Sequence, residues 1–79
     1  MQIIFVQVKC EPGRSYEVAH KIMDEVEGVG ELHSTSGKFD LLVMFHLDDS
    51  IDIGHFINEH IQTVPGIRDT FTTIAFKAF

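Results

Sequence analysis

Two segments of the chain carry large apolar residues on both faces of an alternating pattern. Residues 2 to 10 and residues 39 to 47 are rich in β-branched, aromatic and other large apolar side chains. Because an extended backbone points successive side chains to opposite sides, each segment is predicted to be a central strand buried on both faces. The apolar residues concerned are Ile3, Ile4, Phe5, Val6, Val8, Phe39, Leu41, Leu42, Val43, Met44 and Phe45.

Two other segments repeat their apolar residues at helical spacing. The first covers residues 16 to 28 and follows "EPGRS", a Pro-Gly turn with Ser15 placed to cap a helix. The second covers residues 53 to 64, after "DDS" as another capping sequence and before Pro65, which cannot continue a helix. The apolar stripes are Val18, Ile22 and Val26 in the first helix and Ile53, Phe56, Ile57, Ile61 and Val64 in the second.

The remaining segments complete a recognisable order of elements. Residues 29 to 36 are the most polar strand candidate, as an edge strand tends to be, and "SGK" turns them into the strand at residues 39 to 47. Residues 67 to 79 alternate and are rich in threonine, which favours a last strand. The order βαββαβ predicts one α+β domain over residues 1 to 79 with ferredoxin-like topology. That topology is a four-stranded antiparallel sheet with two helices on one face and with its first and third strands central.

Two helices can cover only one face of such a sheet, although the apolar residues of the central strands point to both. An uncovered face with several of Ile, Phe, Leu and Val would exceed the apolar patch that soluble monomers normally expose. A second copy of the sheet is the simplest cover, so we expect at least a homodimer formed through the sheet. The alternative is that sheet twist and the C-terminal segment hide enough of this face within one chain.

Charge and cysteine content indicate which kinds of partner and which cellular compartment to expect. Twelve acidic residues against six basic ones give a formal charge of -6, which disfavours nucleic-acid binding by this chain. Cys10 has no second cysteine to pair with, which is ordinary in a reducing cytoplasm. The first ten residues are apolar, but they are too short to span a membrane and lack the basic start of an export signal. We therefore expect a soluble cytoplasmic protein.

The sequence offers little for catalysis or metal binding. It contains no nucleophile motif and no glycine-rich phosphate loop, and its five histidines lack the i, i+4 spacing of zinc ligands on a helix. We expect neither a metal nor a cofactor. The one histidine pair that the hairpin would bring face to face is His33 and His46. An enzyme of this fold would need a titratable residue, such as His33 or His46, that lines an apolar cavity.

One carboxylate, Asp40, lies at the start of an otherwise apolar strand, just after the turn at Gly37 and Lys38. Two interpretations are open. An aspartate beside a tight turn commonly accepts hydrogen bonds from the turn amides. Alternatively, the amides of Gly37 and Lys38 meet the carboxylate of a small zwitterion while Asp40 meets its ammonium group.

A pair of threonines in the last strand also has two interpretations. Thr70 and Thr72 share one face of that strand, while Thr73 lies on the other. Threonine favours strands by itself. As a functional pair, however, the two hydroxyls would lie in line at the sheet edge, where they suit a carboxylate or an amide.

Three stretches in this order and spacing resemble the effector-binding domain of the Lrp/AsnC family of transcriptional regulators: "VKCEPGRSYEVAHKI", "GVGELHSTSGKFDLLV" and "VPGIRDTFTTIAF". The resemblance covers nearly the whole chain. Its most specific features are the Pro-Gly-Arg before the first helix and the Gly-x-aromatic-Asp hairpin of Gly37, Phe39 and Asp40. A third is the Pro-Gly-β-branched opening of the last strand, followed by Thr72.

The resemblance implies a ferredoxin-like domain that dimerises through its sheets, assembles further into rings of dimers, and binds an amino acid effector between neighbouring dimers. The residues that carry over as effector contacts are Gly37, Lys38, Phe39, Asp40, Thr70 and Thr72. Asp40 would then shape the pocket or bind the ligand's ammonium group. Lys38 departs from the family, in which an acidic or polar residue is common at this position.

Full-length family members carry a helix-turn-helix DNA-binding domain before this one, and this chain is expected to lack it. Three functions are therefore considered. The first is an oligomeric amino acid sensor without catalysis. The second is a small cofactor-independent monooxygenase or isomerase of the same fold. The third is a structural partner that joins full-length Lrp/AsnC regulators through the shared sheet face.

Overall fold

The computed structural model describes all 79 residues and confirms the predicted element order and ferredoxin-like fold. The sheet is antiparallel throughout, with the strands side by side in the order β2-β3-β1-β4, so that β1 and β3 are central as predicted. The strands are β1 (Gln2–Cys10), β2 (Val29–Ser34), β3 (Leu41–Leu47) and β4 (Ile67–Ala75); the helices are α1 (Ser15–Glu25) and α2 (Ile53–Phe56), which continues as a π-helix (Ile57–Ile61).

The core lies between the sheet and the helices. Every second residue of β1 and β3 points into it, and the buried side of both helices closes it. Phe45 is fully buried, and its ring meets that of Phe56 edge-on with centroids 5.3 Å apart, a favourable geometry for two aromatic rings. The core residues are Ile4, Val6, Val8, Cys10, Val18, Ile22, Leu41, Val43, Phe45, Leu47, Phe56, Ile57 and Ile61.

Both ends of α1 differ from the prediction. The residue before the helix is Arg14, and no side chain caps this end, so Ser15 is the first helical residue and not a cap. Arg14 instead pairs with Glu17 in the first turn. The helix stops at Glu25 and the chain then turns at Gly28, whose φ is +91°. A Cβ at Gly28 would lie 2.8 Å from the carbonyl oxygen of His46, so close packing against β3 sets this turn.

The second helix is shorter than predicted and changes its type. Asp52 caps it by accepting a hydrogen bond from the His55 amide at 3.0 Å. The "DDS" sequence forms a turn instead, in which Asp48 accepts from the backbone and hydroxyl of Ser50. A π-helix takes over at Ile57. The Gln62 amide donates to the Ile57 carbonyl at 2.9 Å, which is the i to i+5 hydrogen bond of a π-helix.

The sheet face opposite the helices is uncovered in the single chain. The residues of β1 and β3 that point to the helices are buried, whereas the apolar residues that point to the opposite face are half-buried or exposed. The Phe71 side chain, for example, is 58% exposed. We call this surface the open face. Its apolar residues are Ile3 and Phe5 of β1, Leu42 and Met44 of β3, and Phe71 and Ala75 of β4. Neither helical segment is long and apolar enough to cross a lipid bilayer.

Candidate functional site

The β2–β3 hairpin closes through its backbone and one threonine. The Thr35 amide donates to the Asp40 carbonyl at 2.9 Å, and the Thr35 hydroxyl donates to the Phe39 carbonyl at 3.1 Å. Gly37 lies at the tip with a φ of +98° and no atom near its missing Cβ. It is therefore required for its backbone conformation and not for space. The third strand begins at Leu41, two residues later than predicted, because residues 35 to 40 form this hairpin loop.

Asp40 holds the hairpin onto the neighbouring central strand. Its Oδ2 accepts a hydrogen bond from the Cys10 amide at 2.8 Å, and its own amide donates to the Val8 carbonyl at 2.8 Å. The register between β1 and β4 shifts between Lys9 and Cys10, and the carboxylate satisfies the amide at this irregularity. The interpretation that Asp40 accepts from the turn amides is wrong, since its partner lies thirty positions away in β1.

The same contact affects the single thiol of the chain. Cys10 is buried, and burial raises the pKa of its thiol, as does the negative charge of Asp40; Lys9 acts in the opposite direction. The thiolate is the reactive form of cysteine, so a raised pKa makes this thiol less reactive at neutral pH. Cys10 is a core residue of the fold.

Five residues from three parts of the chain surround a cavity of about 450 Å³ beside the hairpin, at one corner of the open face. We call it the corner pocket. Lys9 and Asp69 lie directly opposite each other on β1 and β4. The Phe39 ring faces that of Phe71 with centroids 6.4 Å apart. The lining residues are Lys9, Lys38, Phe39, Arg68 and Asp69.

The corner pocket is cationic in an acidic protein. Three of its five lining residues are basic and one is acidic, whereas the whole chain has a formal charge of -6. Arg68 is partly balanced by Glu11, with Nε 3.8 Å from Oε1 and both side chains about half exposed. The pocket thus offers an anion-binding group and a cation-binding group beside an aromatic ring, which suits a small zwitterion.

The structure brings some of the predicted site residues together and separates others. Lys38 and Phe39 line the corner pocket, and Gly37 and Asp40 shape the hairpin that presents them. Sequence reasoning missed Lys9, Arg68 and Asp69. Alternation along the strands places Lys9 and Asp69 on the open face, but only the pairing register shows that they are neighbours.

The two threonines lie elsewhere within the single chain. Thr70 pairs with Val8 and Thr72 with Val6, both of which point to the helix side, so the threonines share that side of the edge strand β4. The Thr70 hydroxyl accepts a hydrogen bond from Gln62 at 3.1 Å. Since β1 separates β4 from β3, Thr70 is about 10 Å from the start of β3. The role of Thr70 and Thr72 as effector contacts stays a prediction.

The histidine pair expected across the hairpin does not form. His33 lies opposite Leu42, while His46 lies four residues further along β3, about 13 Å away. The nearest partner of His33 is Glu31 at 3.1 Å. No group of three or more His, Cys, Asp or Glu side chains in the chain is placed to hold a metal ion.

Replacing Asp40 with alanine is expected to lower the free energy of unfolding by about 1–3 kcal/mol, because the Cys10 amide loses its acceptor in a partly buried position. Asp40→Asn keeps an oxygen acceptor and is the matched control, with an expected loss below about 1 kcal/mol. Urea unfolding at one fixed protein concentration measures both. Equal stability of the alanine variant and the wild type would show that this contact does not hold the hairpin.

These features describe a domain of ferredoxin-like fold with a charged pocket at one corner of its open face. The family model of the Lrp/AsnC ligand-binding domain matches residues 3–79. The chain therefore belongs to this family, as its sequence resemblance predicts.

The relatives that share sequence with the chain include a transcriptional regulator and an enzyme. The HTH-type transcriptional regulator FL11 of Pyrococcus abyssi is 28% identical over 95% of this chain and 48% of its own length. The homocitrate synthase of Sulfolobus acidocaldarius is 31% identical over 91% of this chain and 15% of the enzyme. The chain thus spans about half of the regulator and a small part of the enzyme.

Several solved structures share its fold, and two of them illustrate the range of sequence identity. The crystal structure of FFRP-DM1 superposes with a TM-score of 0.88 at 32% identity, over 96% of this chain and all of the other. The transcriptional regulator NMB0573 of Neisseria meningitidis, in complex with L-Met, gives a TM-score of 0.81 at 17% identity, over 96% of this chain and 50% of the other. At that identity the second likeness concerns the fold alone.

Proposed function

We propose that this protein is an oligomeric, non-catalytic regulatory domain that binds an amino acid effector in the corner pocket. The observation that carries the proposal is the pocket itself, which Lys38 and Arg68 line together with Asp69 and the Phe39 ring. An amino acid presents one carboxylate and one ammonium group, so it needs both signs of charge close together. Membership of a ligand-binding family supports this proposal.

The hairpin residues have separate roles in this proposal. Lys38 and Phe39 contact the effector, and Gly37 permits the turn that presents them. Asp40 shapes the site by latching the hairpin onto β1, since one of its carboxylate oxygens is already engaged there. Thr70 and Thr72 are proposed to contact an effector that binds across the edge strand between copies of the chain.

The open face is proposed to join two copies into a homodimer, and dimers to build a higher oligomer such as a ring. Half-buried apolar side chains on both central strands support this, because pairing two such faces removes them from water. An effector that binds between copies has different affinities for the free and assembled states, so it shifts the assembly equilibrium.

Full-length Lrp/AsnC regulators are the proposed protein partners in the cytoplasm. The similarity to FL11, an HTH-type transcriptional regulator about twice as long as the matched segment, supports a shared sheet surface through which the two kinds of chain co-assemble. The chain is proposed to modulate such regulators without contacting DNA itself, which its formal charge of -6 supports.

Thermal unfolding with each standard amino acid tests the binding proposal. A ligand that binds only the folded state stabilises it by about 2.7 kcal/mol at one hundred times its Kd, so at least one amino acid is expected to raise Tm clearly. Phe39→Ala is expected to abolish this rise, because it removes the ring from the pocket. Tyr16→Ala, which changes an exposed aromatic residue on α1, is the control and should keep it. If no amino acid raises Tm, the proposal fails.

A further inference from the structure

We propose that the effector is an amino acid with a second carboxylate in its side chain, in the class of aspartate and glutamate, and that Lys38 selects it. This inference rests on the proposed function, because it places the effector in the corner pocket.

The pocket holds more positive charge than a neutral amino acid requires. One basic side chain is enough for the α-carboxylate, and Asp69 is enough for the ammonium group. Lys9, Lys38 and Arg68 supply three basic groups around one cavity, against a single lining carboxylate. Like charges around one cavity repel, and a ligand with two carboxylates would relieve this repulsion better than a zwitterion with a neutral side chain.

The partners of the three basic groups differ. Lys9 takes part in no ion pair of the chain, but it lies directly opposite Asp69 on the neighbouring strand. Arg68 has Glu11 at 3.8 Å. Lys38 takes part in none of the chain's ion pairs and lies on the hairpin, next to the aromatic ring of the pocket. It is therefore the group left over once the two ends of a bound amino acid backbone are matched.

Asp40, which lies near Lys38 in the sequence, does not neutralise the charge of Lys38 in the pocket. Asp40 belongs to the same hairpin, but its Oδ2 is directed to the Cys10 amide and it does not line the cavity. Phe39, backed by Phe71, offers an apolar surface for the short aliphatic part of the ligand. The arrangement fits one or two methylene groups ending in a carboxylate near Lys38.

Calorimetric titration with two matched ligand pairs tests the inference. L-Glutamate and L-glutamine, and likewise L-aspartate and L-asparagine, have nearly the same shape and differ in side-chain charge. We expect the acid of at least one pair to bind the wild-type protein about tenfold more tightly than its amide. This preference should shrink as NaCl is added, because the pocket is open to solvent.

Lys38→Gln is expected to reduce the preference for the acid to about threefold or less, because it removes the positive charge that meets the side-chain carboxylate. Lys21→Gln is the matched control, because Lys21 lies on α1 and pairs with Glu25. It should keep the wild-type preference. Retention of the full preference in Lys38→Gln would overturn the role of Lys38.

The possible failures are distinguishable. If neutral amino acids bind the wild-type protein as tightly as the acidic ones, the inference about the ligand class is wrong while the proposed function stands. If no amino acid binds at all, the proposed function itself is wrong.

Discussion

Replacing Phe5 with glutamate is expected to make the protein monomeric. Phe5 lies in the middle of the open face, between Met44 of β3 and Thr73 of β4, and is half-buried in the single chain. Pairing two open faces would remove this position from water. A carboxylate buried there without a partner costs several kcal/mol per copy, and twofold symmetry brings two of them into one interface.

The fold itself should tolerate this change, because position 5 points away from the core that the helices cover. Sedimentation velocity is expected to give a mass near 9.0 kDa for Phe5→Glu and at least twice that for the wild type. Tyr16→Glu is the control, since Tyr16 is 69% exposed on α1, and should keep the wild-type mass. A Phe5→Glu protein with native circular dichroism and wild-type mass would rule out the open face as the interface.

Phe45→Ala is expected to lower the free energy of unfolding by about 3–5 kcal/mol, which is most of the stability of an ordinary small domain. Phe45 is fully buried in β3, and its ring packs edge-on against Phe56 across the layer between sheet and helix. Truncation would remove both the burial of the ring and this aromatic contact, and would leave a cavity that the surrounding strands cannot fill.

The measurement belongs in the Phe5→Glu background, because the stability of an oligomer depends on protein concentration. Urea unfolding of the double variant is compared with that of Phe5→Glu alone. Phe76→Ala is the matched control, since Phe76 is 98% exposed, and should change stability by less than about 0.5 kcal/mol. A loss below about 1 kcal/mol for Phe45→Ala would mean that the core is not packed as described.

The central part of the fold follows from local pattern. Alternating apolar residues on both faces of residues 2 to 10 predict the bounds of β1 correctly, and the same pattern predicts the end of β3 but starts it two residues too early. Apolar periodicity also places both helices. It does not reveal the change to a π-helix at Ile57, because buried residues at positions 56, 57 and 61 fit either kind of helix.

The ends of elements are harder to predict because they depend on distant contacts. The second helix is capped by Asp52 and not by a residue of "DDS". Aspartate and serine are both common capping residues, so composition alone does not distinguish the two positions. The turn that follows α1 depends on how closely Gly28 packs against His46 in β3. Such contacts exist only once the sheet has formed.

In the candidate site, too, some features follow from local sequence and others depend on distant contacts. The resemblance identifies the hairpin from Gly37 to Asp40, because that motif is continuous in sequence. The role of Asp40 depends on the Cys10 amide, which donates to its carboxylate at a register shift between β1 and β4. No local sequence pattern indicates this shift. Lys9 and Asp69 come from strands far apart in the sequence, and only their pairing places them in one pocket with Lys38.

Native mass spectrometry of the wild-type protein, with and without the standard amino acids, tests the central claim most directly, since one spectrum shows both assembly and bound ligand. The account predicts dimers or multiples of dimers of the 9.0 kDa chain, a bound amino acid, and a shift among assemblies when it binds. A monomer that binds no amino acid from the panel would contradict the account.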